Sequence, residues 1–206
     1  MNQLLKRLTN YESLLFLLVV LLNLVPVLEH HFFPTLDGPA HLYNANLINH
    51  LLFSDSNLDS FFQFNSEPVP NWTGHIILSF FNLFLPGFIA EKILLLLYMI
   101  GLPLAFRALI KTISPENKYF SYIIFPFTYS FLFFLGFYNF SIALILLLVT
   151  LNYWFKIEDK IFTTKSVLKL FGLITLTYFS HIFVFALLVL LIGLQITFKS
   201  FFNILE

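Results

Sequence analysis

Apolar residues run through most of this chain in long stretches that are separated by short polar or proline-containing segments. Several stretches are long enough to cross a bilayer core of about 30 Å as a helix that rises about 1.5 Å per residue. The pattern predicts one all-α transmembrane domain over residues 1–206, a polytopic helix bundle of about five or six spans. The predicted spans cover about residues 11–33, 88–110, 119–135, 140–155, 167–180 and 182–198.

The segment 34–87 between the first two spans contains two shorter helical patterns. Asp37 is a natural N-cap, and Pro39 falls in the first turn, where a missing amide hydrogen costs nothing. We therefore predict a helix over about 37–53. A second apolar run, about 74–85, is too short to cross a membrane and is stopped by a Pro-Gly pair, which favours an interfacial or re-entrant helix.

The last apolar block, 167–198, would be roughly 48 Å long as a single helix, which exceeds one membrane thickness. The sequence Tyr-Phe-Ser-His, ending at His181, interrupts the block. We predict two short helices that meet near His181, with one long bent helix as the alternative.

The amino-acid composition indicates whether water or lipid surrounds the folded chain. Hydrophobic residues make up 59% of the chain and charged residues 11%, and the mean hydropathy is +0.86. A water-soluble fold could not bury this much apolar side chain, so the lipid bilayer is the expected surrounding. The net charge of +0 gives no indication of a nucleic-acid partner, and the absence of Cys excludes disulfides, thiolate metal sites and Cys nucleophiles.

The distribution of charge predicts an orientation. Lys6 and Arg7 precede the first span, whereas the stretch from Leu8 to Glu91 contains no Lys or Arg. The acidic residues in or next to that first loop are Glu29, Asp37, Asp55, Asp59 and Glu67. By the positive-inside rule the N-terminus is cytoplasmic and segment 34–87 faces out, as in a multi-pass protein of a bacterial cytoplasmic membrane. A signal peptide would also begin in this way, but no small-residue cleavage site follows.

Polar side chains gather at the predicted outer ends of the spans. Asp37 and His41 lie four residues apart, on one helix face, and Asn44 follows one turn later. Further candidates for substrate binding on the same side are His75, Lys92, Tyr138, Asn139 and His181. Structural alternatives exist for these residues: Asp37 as a simple helix cap, His41 as an interfacial polar residue, and Lys92 as a partner of Glu91 or of lipid headgroups. The segment 136–139 could simply form a tight turn, and the last histidine could serve a contact between helices.

The order of these features resembles a known family. An external Asp at a helix start is followed by a Pro-Asn-Trp loop, the short helix HIILSFFNLFLP and a span that opens with Ala-Glu-Lys at Ala90. The segments GFYNF, from Gly136, and YFSH, ending at His181, come later. This layout resembles the N-terminal module of the GT-C superfamily, integral-membrane glycosyltransferases that use a polyprenyl-phosphate-linked sugar donor.

The resemblance implies that Asp37 is the general base toward an acceptor hydroxyl, or a metal ligand, at the outer membrane surface. It also implies that His75, Lys92 or His181 faces the donor phosphate. Many family members carry a second acid here, whereas Gly38 follows Asp37 in this chain, and one carboxylate with His41 makes a poor Mg²⁺ site. We therefore expect no cofactor, with a divalent metal ion as the alternative.

The chain ends soon after an apolar block, so we expect it to be the N-terminal part of a longer enzyme. The alternative class is a non-catalytic membrane protein, such as a subunit, a degenerate relative or part of a transporter. The sugar, the acceptor and the oligomeric state are not indicated by any residue pattern.

Overall fold

The computed structural model describes residues 2–54, 57–65 and 67–205, with the backbone alone for 2–10 and 203–205. Asp55 and the side chains of Lys6 and Arg7 lie outside the described residues. The described chain is helical and contains no strand, which confirms the all-α class. The α-helices are α1 (Asn2–Asn23), α2 (Val25–Glu29), α3 (Gly38–Phe53), α4 (Thr73–Asn82), α5 (Gly87–Ile113), α6 (Phe125–Thr128), α7 (Phe131–Phe134), α8 (Tyr138–Ile157), α9 (Thr164–Ser180) and α10 (Ile182–Leu205), and 3₁₀-helices cover Asn57–Ser60 and Pro115–Ile124.

Apolar side chains cover much of the outer surface of the bundle. Four stretches are long and apolar enough to cross a membrane, and in the last of them only 11% of the residues are buried. Those stretches are Tyr11–Glu29, Gly87–Ile113, Tyr138–Ile157 and Ile182–Phe202. Because water would not tolerate so much exposed apolar surface, the chain is a membrane protein.

The segment 119–135, predicted as one span, is not a continuous helix. It forms the end of a long 3₁₀-helix, then α6 and then α7. Pro126 removes a backbone donor, and Ser130 adopts an extended conformation from which its hydroxyl caps α7 by accepting from Phe133 N. These two residues divide an apolar run that composition alone predicts to be a single helix.

Hydrogen bonds hold this irregular segment against α1. The side-chain amide of Asn23 donates to Thr128 Oγ1 at 3.0 Å, and Tyr129 Oη donates to the carbonyl oxygen of Asn23 at 2.7 Å. Irregular backbone at membrane depth is tolerated where protein surrounds it, and here α1, α5 and α8 are its neighbours.

The last apolar block consists of two helices, α9 and α10, which meet at His181. Its backbone is extended, with φ −164° and ψ 121°. The bend predicted at this position is therefore a complete break. At 17 residues α9 is shorter than the four candidate spans, and its crossing of the membrane stays a prediction.

The main core lies between α5 and α8 and extends under the start of α3. Phe133 is fully buried, with its ring 5.0 Å from that of Tyr98 and 5.6 Å from that of Phe33. The loop before α3 and the turn before α8 therefore rest on the same group of aromatic rings. This shared support brings Asp37 close to Tyr138.

Candidate functional site

A cavity of about 290 Å³ lies where the starts of α3, α4, α8 and α10 come together. All of the predicted site residues except Asn44 and Lys92 line it. The lining residues are Asp37, His41, Asn71, His75, Phe137, Tyr138, Asn139, Phe140 and His181. They come from four separate parts of the chain, so the fold gathers carboxylate, imidazole, phenol and amide groups around one space.

Asp37 occupies the N-cap position of α3, but its side chain does not cap the helix. Its backbone is helical, with φ −94° and ψ −2°, and the carboxylate accepts no capping hydrogen bond. The next residue but one, Pro39, has no N–H to donate, which removes one of the usual capping donors. Among the described residues no cation pairs with this carboxylate and no donor bonds to it. Asp37 therefore has a half-buried acidic group that the fold does not use.

The backbone around Asp37 is fixed by the turn before α8. The amide of Asp37 donates to the carbonyl oxygen of Leu135 at 3.1 Å. Gly136 adopts φ +81°, and a Cβ built on it would lie 2.9 Å from the amide nitrogens of Asp37 and Gly38. Glycine is required here by both its backbone angle and this close approach.

Beneath the start of α3 lies a buried polar group that the sequence did not reveal. Tyr138 Oη donates to Glu91 Oε1 at 2.5 Å, and Thr35 Oγ1 lies 2.7 Å from the same hydroxyl. Glu91 and Thr35 are 7% and 9% exposed. Gly38 packs on this group so closely that a Cβ there would be 2.2 Å from both Glu91 Oε1 and Thr35 Oγ1.

His41 and His75 form a hydrogen-bonded imidazole pair. His41 Nδ1 lies 3.2 Å from His75 Nε2, and His75 Nδ1 lies 3.3 Å from the carbonyl oxygen of Asn71. A carbonyl can only accept, so His75 carries its proton on Nδ1, and His41 Nδ1 supplies the proton shared by the pair. This assignment follows from the hydrogen-bond network.

Both imidazoles of the pair are held neutral. Burial lowers the pKa of His41, the neighbouring His75 lowers it further, and Asp37 opposes both effects. Burial also lowers the pKa of His75, against the hydrogen bond to the Asn71 carbonyl. At neutral pH the pair can therefore exchange hydrogen bonds without carrying a positive charge.

The loop before α4 is connected to both α8 and α9. The amide of Gly74 donates to Asn139 Oδ1 at 2.6 Å, and the amide of Trp72 donates to the carbonyl oxygen of Phe179 at 3.0 Å. Asn71 has φ +70°, in the left-handed region that Asn tolerates better than most residues. These bonds fix the position of His75, the residue that follows Gly74.

His181 closes one side of the cavity, at the break between α9 and α10. Its ring packs edge-on against Phe140, with 5.3 Å between the ring centres. Its Nδ1 atom is buried without a hydrogen-bond partner among the described residues. Burial lowers the pKa of this imidazole. A buried ring nitrogen without a partner lowers the stability of the fold.

Asn44 and Lys92 lie away from this cavity. Asn44 lines a neighbouring space of about 330 Å³ that shares His75 and Asn71 with the first. Lys92 Nζ lies 3.4 Å from the carbonyl oxygen of Leu28, at the end of the first span. Lys92 therefore does not pair with Glu91, and its predicted contact with a phosphate stays a prediction.

An apolar groove of about 510 Å³ adjoins the cavity, with His75 in the lining of both. It runs between α3 and α4 and is covered on one side by the loop before α4. Aromatic and aliphatic side chains dominate its walls, among them Ile48, Phe64, Trp72, Phe80 and Phe179. The groove is suited to a long apolar chain whose polar end reaches His75.

The arrangement offers a proton acceptor and hydrogen-bonding groups but no metal cluster. Within the described ranges no three His, Cys, Asp or Glu side chains form a group that could hold a metal ion. The fold and the cavity define a class: a polytopic α-helical membrane protein with a carboxylate and an imidazole pair at one end of its bundle. No family model, no curated protein and no solved structure matches the chain, so this class rests on the geometry alone.

Proposed function

We propose that this chain is a GT-C-like membrane glycosyltransferase, or the N-terminal part of one. It would transfer a sugar from a polyprenyl-phosphate-linked donor to an acceptor at the outer face of a bacterial cytoplasmic membrane. The observation that carries the proposal is the unused carboxylate of Asp37 at the edge of a cavity that also contains His41, His75, Tyr138 and Asn139.

Asp37 has the properties that glycosyl transfer requires of a base. As the acceptor oxygen attacks the anomeric carbon, the carboxylate takes the hydroxyl proton, and the bond between that carbon and the phosphate oxygen breaks. The electron pair leaves with the polyprenyl phosphate, and the proton stays on Asp37 until water removes it. A carboxylate that already capped a helix or paired with a lysine would be a weaker base.

The neighbouring groups suit the rest of the substrate. In the neutral imidazole pair, Nε2 of His41 can accept a hydrogen bond from a sugar hydroxyl, and the side-chain amide nitrogen of Asn139 can donate one. The apolar groove beside His75 suits the polyprenyl chain, and its position next to the cavity matches a donor with an apolar tail and a polar head.

Replacing Asp37 by Asn tests the proposal. The amide cannot accept the hydroxyl proton, so we expect the transfer rate to fall by about 100-fold while membrane insertion is unchanged. The assay measures release of polyprenyl phosphate from short-chain polyprenyl-phosphate glucose, galactose and mannose by the full-length protein in vesicles. Asp59→Asn is the matched control, because Asp59 is an exposed acid of the same loop outside the cavity.

Retained transfer in Asp37→Asn would remove Asp37 as the base. If the unmodified protein releases no polyprenyl phosphate from any of the three donors, the non-catalytic alternative is favoured.

The proposed orientation can be tested separately, because the natural chain contains no Cys. Ala40 lies exposed in the first turn of α3, and Lys160 lies exposed after α8. We expect a membrane-impermeant maleimide to label Ala40→Cys in intact cells and to label Lys160→Cys only after the membrane is opened. The reverse pattern would place Asp37 in the cytoplasm and exclude a reaction at the outer face.

A further inference from the structure

Glu91 is a carboxylate buried in a membrane-spanning helix. It lies in the second turn of α5 and is 7% exposed, and among the described residues it has no cationic partner. An ionisable side chain at such a position is costly unless the surrounding structure uses it. The sequence pattern predicts no role for Glu91 beyond a contact with Lys92, and the structure does not contain that contact.

The hydrogen bonds at Glu91 have a defined direction. Tyr138 has one hydroxyl proton, which it donates to Glu91 Oε1. Thr35, whose Oγ1 is 2.7 Å from the same phenolic oxygen, must therefore donate to Tyr138. The chain of donors runs from Thr35 through Tyr138 and ends on the Glu91 carboxylate, a group that accepts strongly.

Tyr138 connects this chain of donors to the cavity. One face of its ring packs against His41, with 5.1 Å between ring centres and 31° between planes. The next residue, Asn139, holds the start of α4 through Gly74, beside His75. The first turn of α8 thus fixes both imidazoles relative to Asp37.

We propose that Glu91 is a positioning residue. By accepting the hydrogen bond of the Tyr138 hydroxyl, Glu91 keeps the Tyr138 ring packed against His41. This contact in turn sets the geometry of the group formed by Asp37, His41 and His75. The inference rests on the proposed function in one respect: the reaction that the geometry serves is the proposed sugar transfer. Glu91 touches none of the reacting atoms, since Gly38 and Tyr138 lie between it and the cavity.

Two conservative variants of the full-length protein test this inference. Glu91→Gln keeps the shape but weakens the acceptor, and Tyr138→Phe keeps the ring but removes the donor. In each we expect kcat to fall by about 10- to 100-fold with KM changed by less than about twofold, because a misplaced group affects the transition state more than substrate binding. The double variant should be no worse than either single variant, since both remove the same hydrogen bond.

A second measurement does not depend on any reaction. The chain has six His residues, and ¹⁵N-histidine NMR of the protein in nanodiscs can follow their titration, with His41→Gln identifying the His41 signal. A displaced Tyr138 ring would expose His41 to water, so the pKa of His41 should rise toward its ordinary value in both variants. Asp37 and His75 are the other charged or titratable groups that face His41, and these substitutions leave both of them unchanged.

Tyr98→Phe is the matched control. Tyr98 is as deeply buried as Tyr138, but it belongs to α5 and its ring stacks on Phe133 in the core. Removal of its hydroxyl should therefore leave the His41 titration unchanged. An unchanged His41 titration in folded Tyr138→Phe would overturn the inference, whatever happens to the rate. If Glu91→Gln does not fold, Tyr138→Phe alone decides the question.

The two proposals fail separately. If the unmodified protein transfers no sugar, the proposed function fails and the His41 titration still decides the role of Glu91. If Asp37→Asn abolishes transfer while Glu91→Gln and Tyr138→Phe leave both kcat and the His41 titration unchanged, the positioning role fails and the proposed function stands.

Discussion

Replacing Arg107 by Leu should lower the free energy of unfolding by about 3–5 kcal/mol, because it leaves a carboxylate buried without its main partner. Arg107 and Glu12 form a bidentate ion pair, with N–O distances of 2.7 and 2.8 Å, and their side chains are 7% and 6% exposed. The guanidinium also lies over the Phe16 ring, 4.2 Å from its centre. Lys118, at 3.2 Å from Glu12, would compensate for only part of the loss.

The measurement is unfolding by sodium dodecyl sulfate in mixed micelles, followed by the fluorescence of the two Trp residues. The double variant Glu12→Leu/Arg107→Leu should recover much of the loss, since it leaves no unpaired buried charge. Lys199→Leu is the control: Lys199 pairs with Glu158 and Asp159, but its side chain is 40% exposed, and solvent-exposed pairs contribute little to stability. A loss below about 1 kcal/mol in Arg107→Leu would show that the pair does not hold α1 in the bundle.

The ion pair also shows what the sequence could not predict. Its two members are 95 positions apart, and no periodicity relates them. In the sequence each is a single charge near one end of an apolar run. Only the packing of α1 on α5 pairs them, and pairing across such a distance leaves no trace in one sequence.

The candidate site was more predictable, for a physical reason. Asp37 and His41 share a face through helix geometry alone. His75, Tyr138, Asn139 and His181 each interrupt or flank an apolar run at one predicted side of the membrane, and alternating spans bring such positions to one end of a bundle. Lys92 also flanks an apolar run on that predicted side, but its long side chain extends to the carbonyl oxygen of Leu28 and not to the cavity. The order of the spans does not predict this contact.

Glu91 escaped prediction because burial of an acid cannot be inferred from its position in a sequence. It begins a span, where an acid normally meets water or headgroups. Its burial depends on the hydroxyls of Thr35 and Tyr138, which come from other parts of the chain. The division of 119–135 into short helices was missed for the same reason. Pro126 and Ser130 interrupt the helix there together with hydrogen bonds to Asn23, a residue from another part of the chain.

Replacing Gly38 by Ala is expected to have the second large effect. The added methyl carbon would lie 2.2 Å from Glu91 Oε1 and Thr35 Oγ1, and 2.5 Å from Tyr138 Oη. All three oxygens belong to buried, hydrogen-bonded side chains, so none can move away freely. Overpacking of this kind costs up to about 3 kcal/mol, and we expect the free energy of unfolding to fall by about that amount.

The same methyl group should also impair the site, because α3 can relieve the clash only by moving away from α8. Asp37 and His41 would move with it, and a displacement of about 1 Å can lower a catalysed rate by about 100-fold. Detergent-induced unfolding gives the first effect, and release of polyprenyl phosphate gives the second.

Gly172→Ala is the matched control for Gly38→Ala, since no atom lies within 4 Å of its added Cβ and α9 would gain a better helix former. We expect Gly172→Ala to leave the transfer rate unchanged and to raise stability by at most about 1 kcal/mol. Equal behaviour of the two variants would mean that α3 does not rest on Glu91 and Tyr138. The buried side chains of Glu91, Thr35 and Tyr138 touch α3 at Gly38, and α3 carries Asp37, the proposed base. Without that contact, these side chains would not hold Asp37 in place.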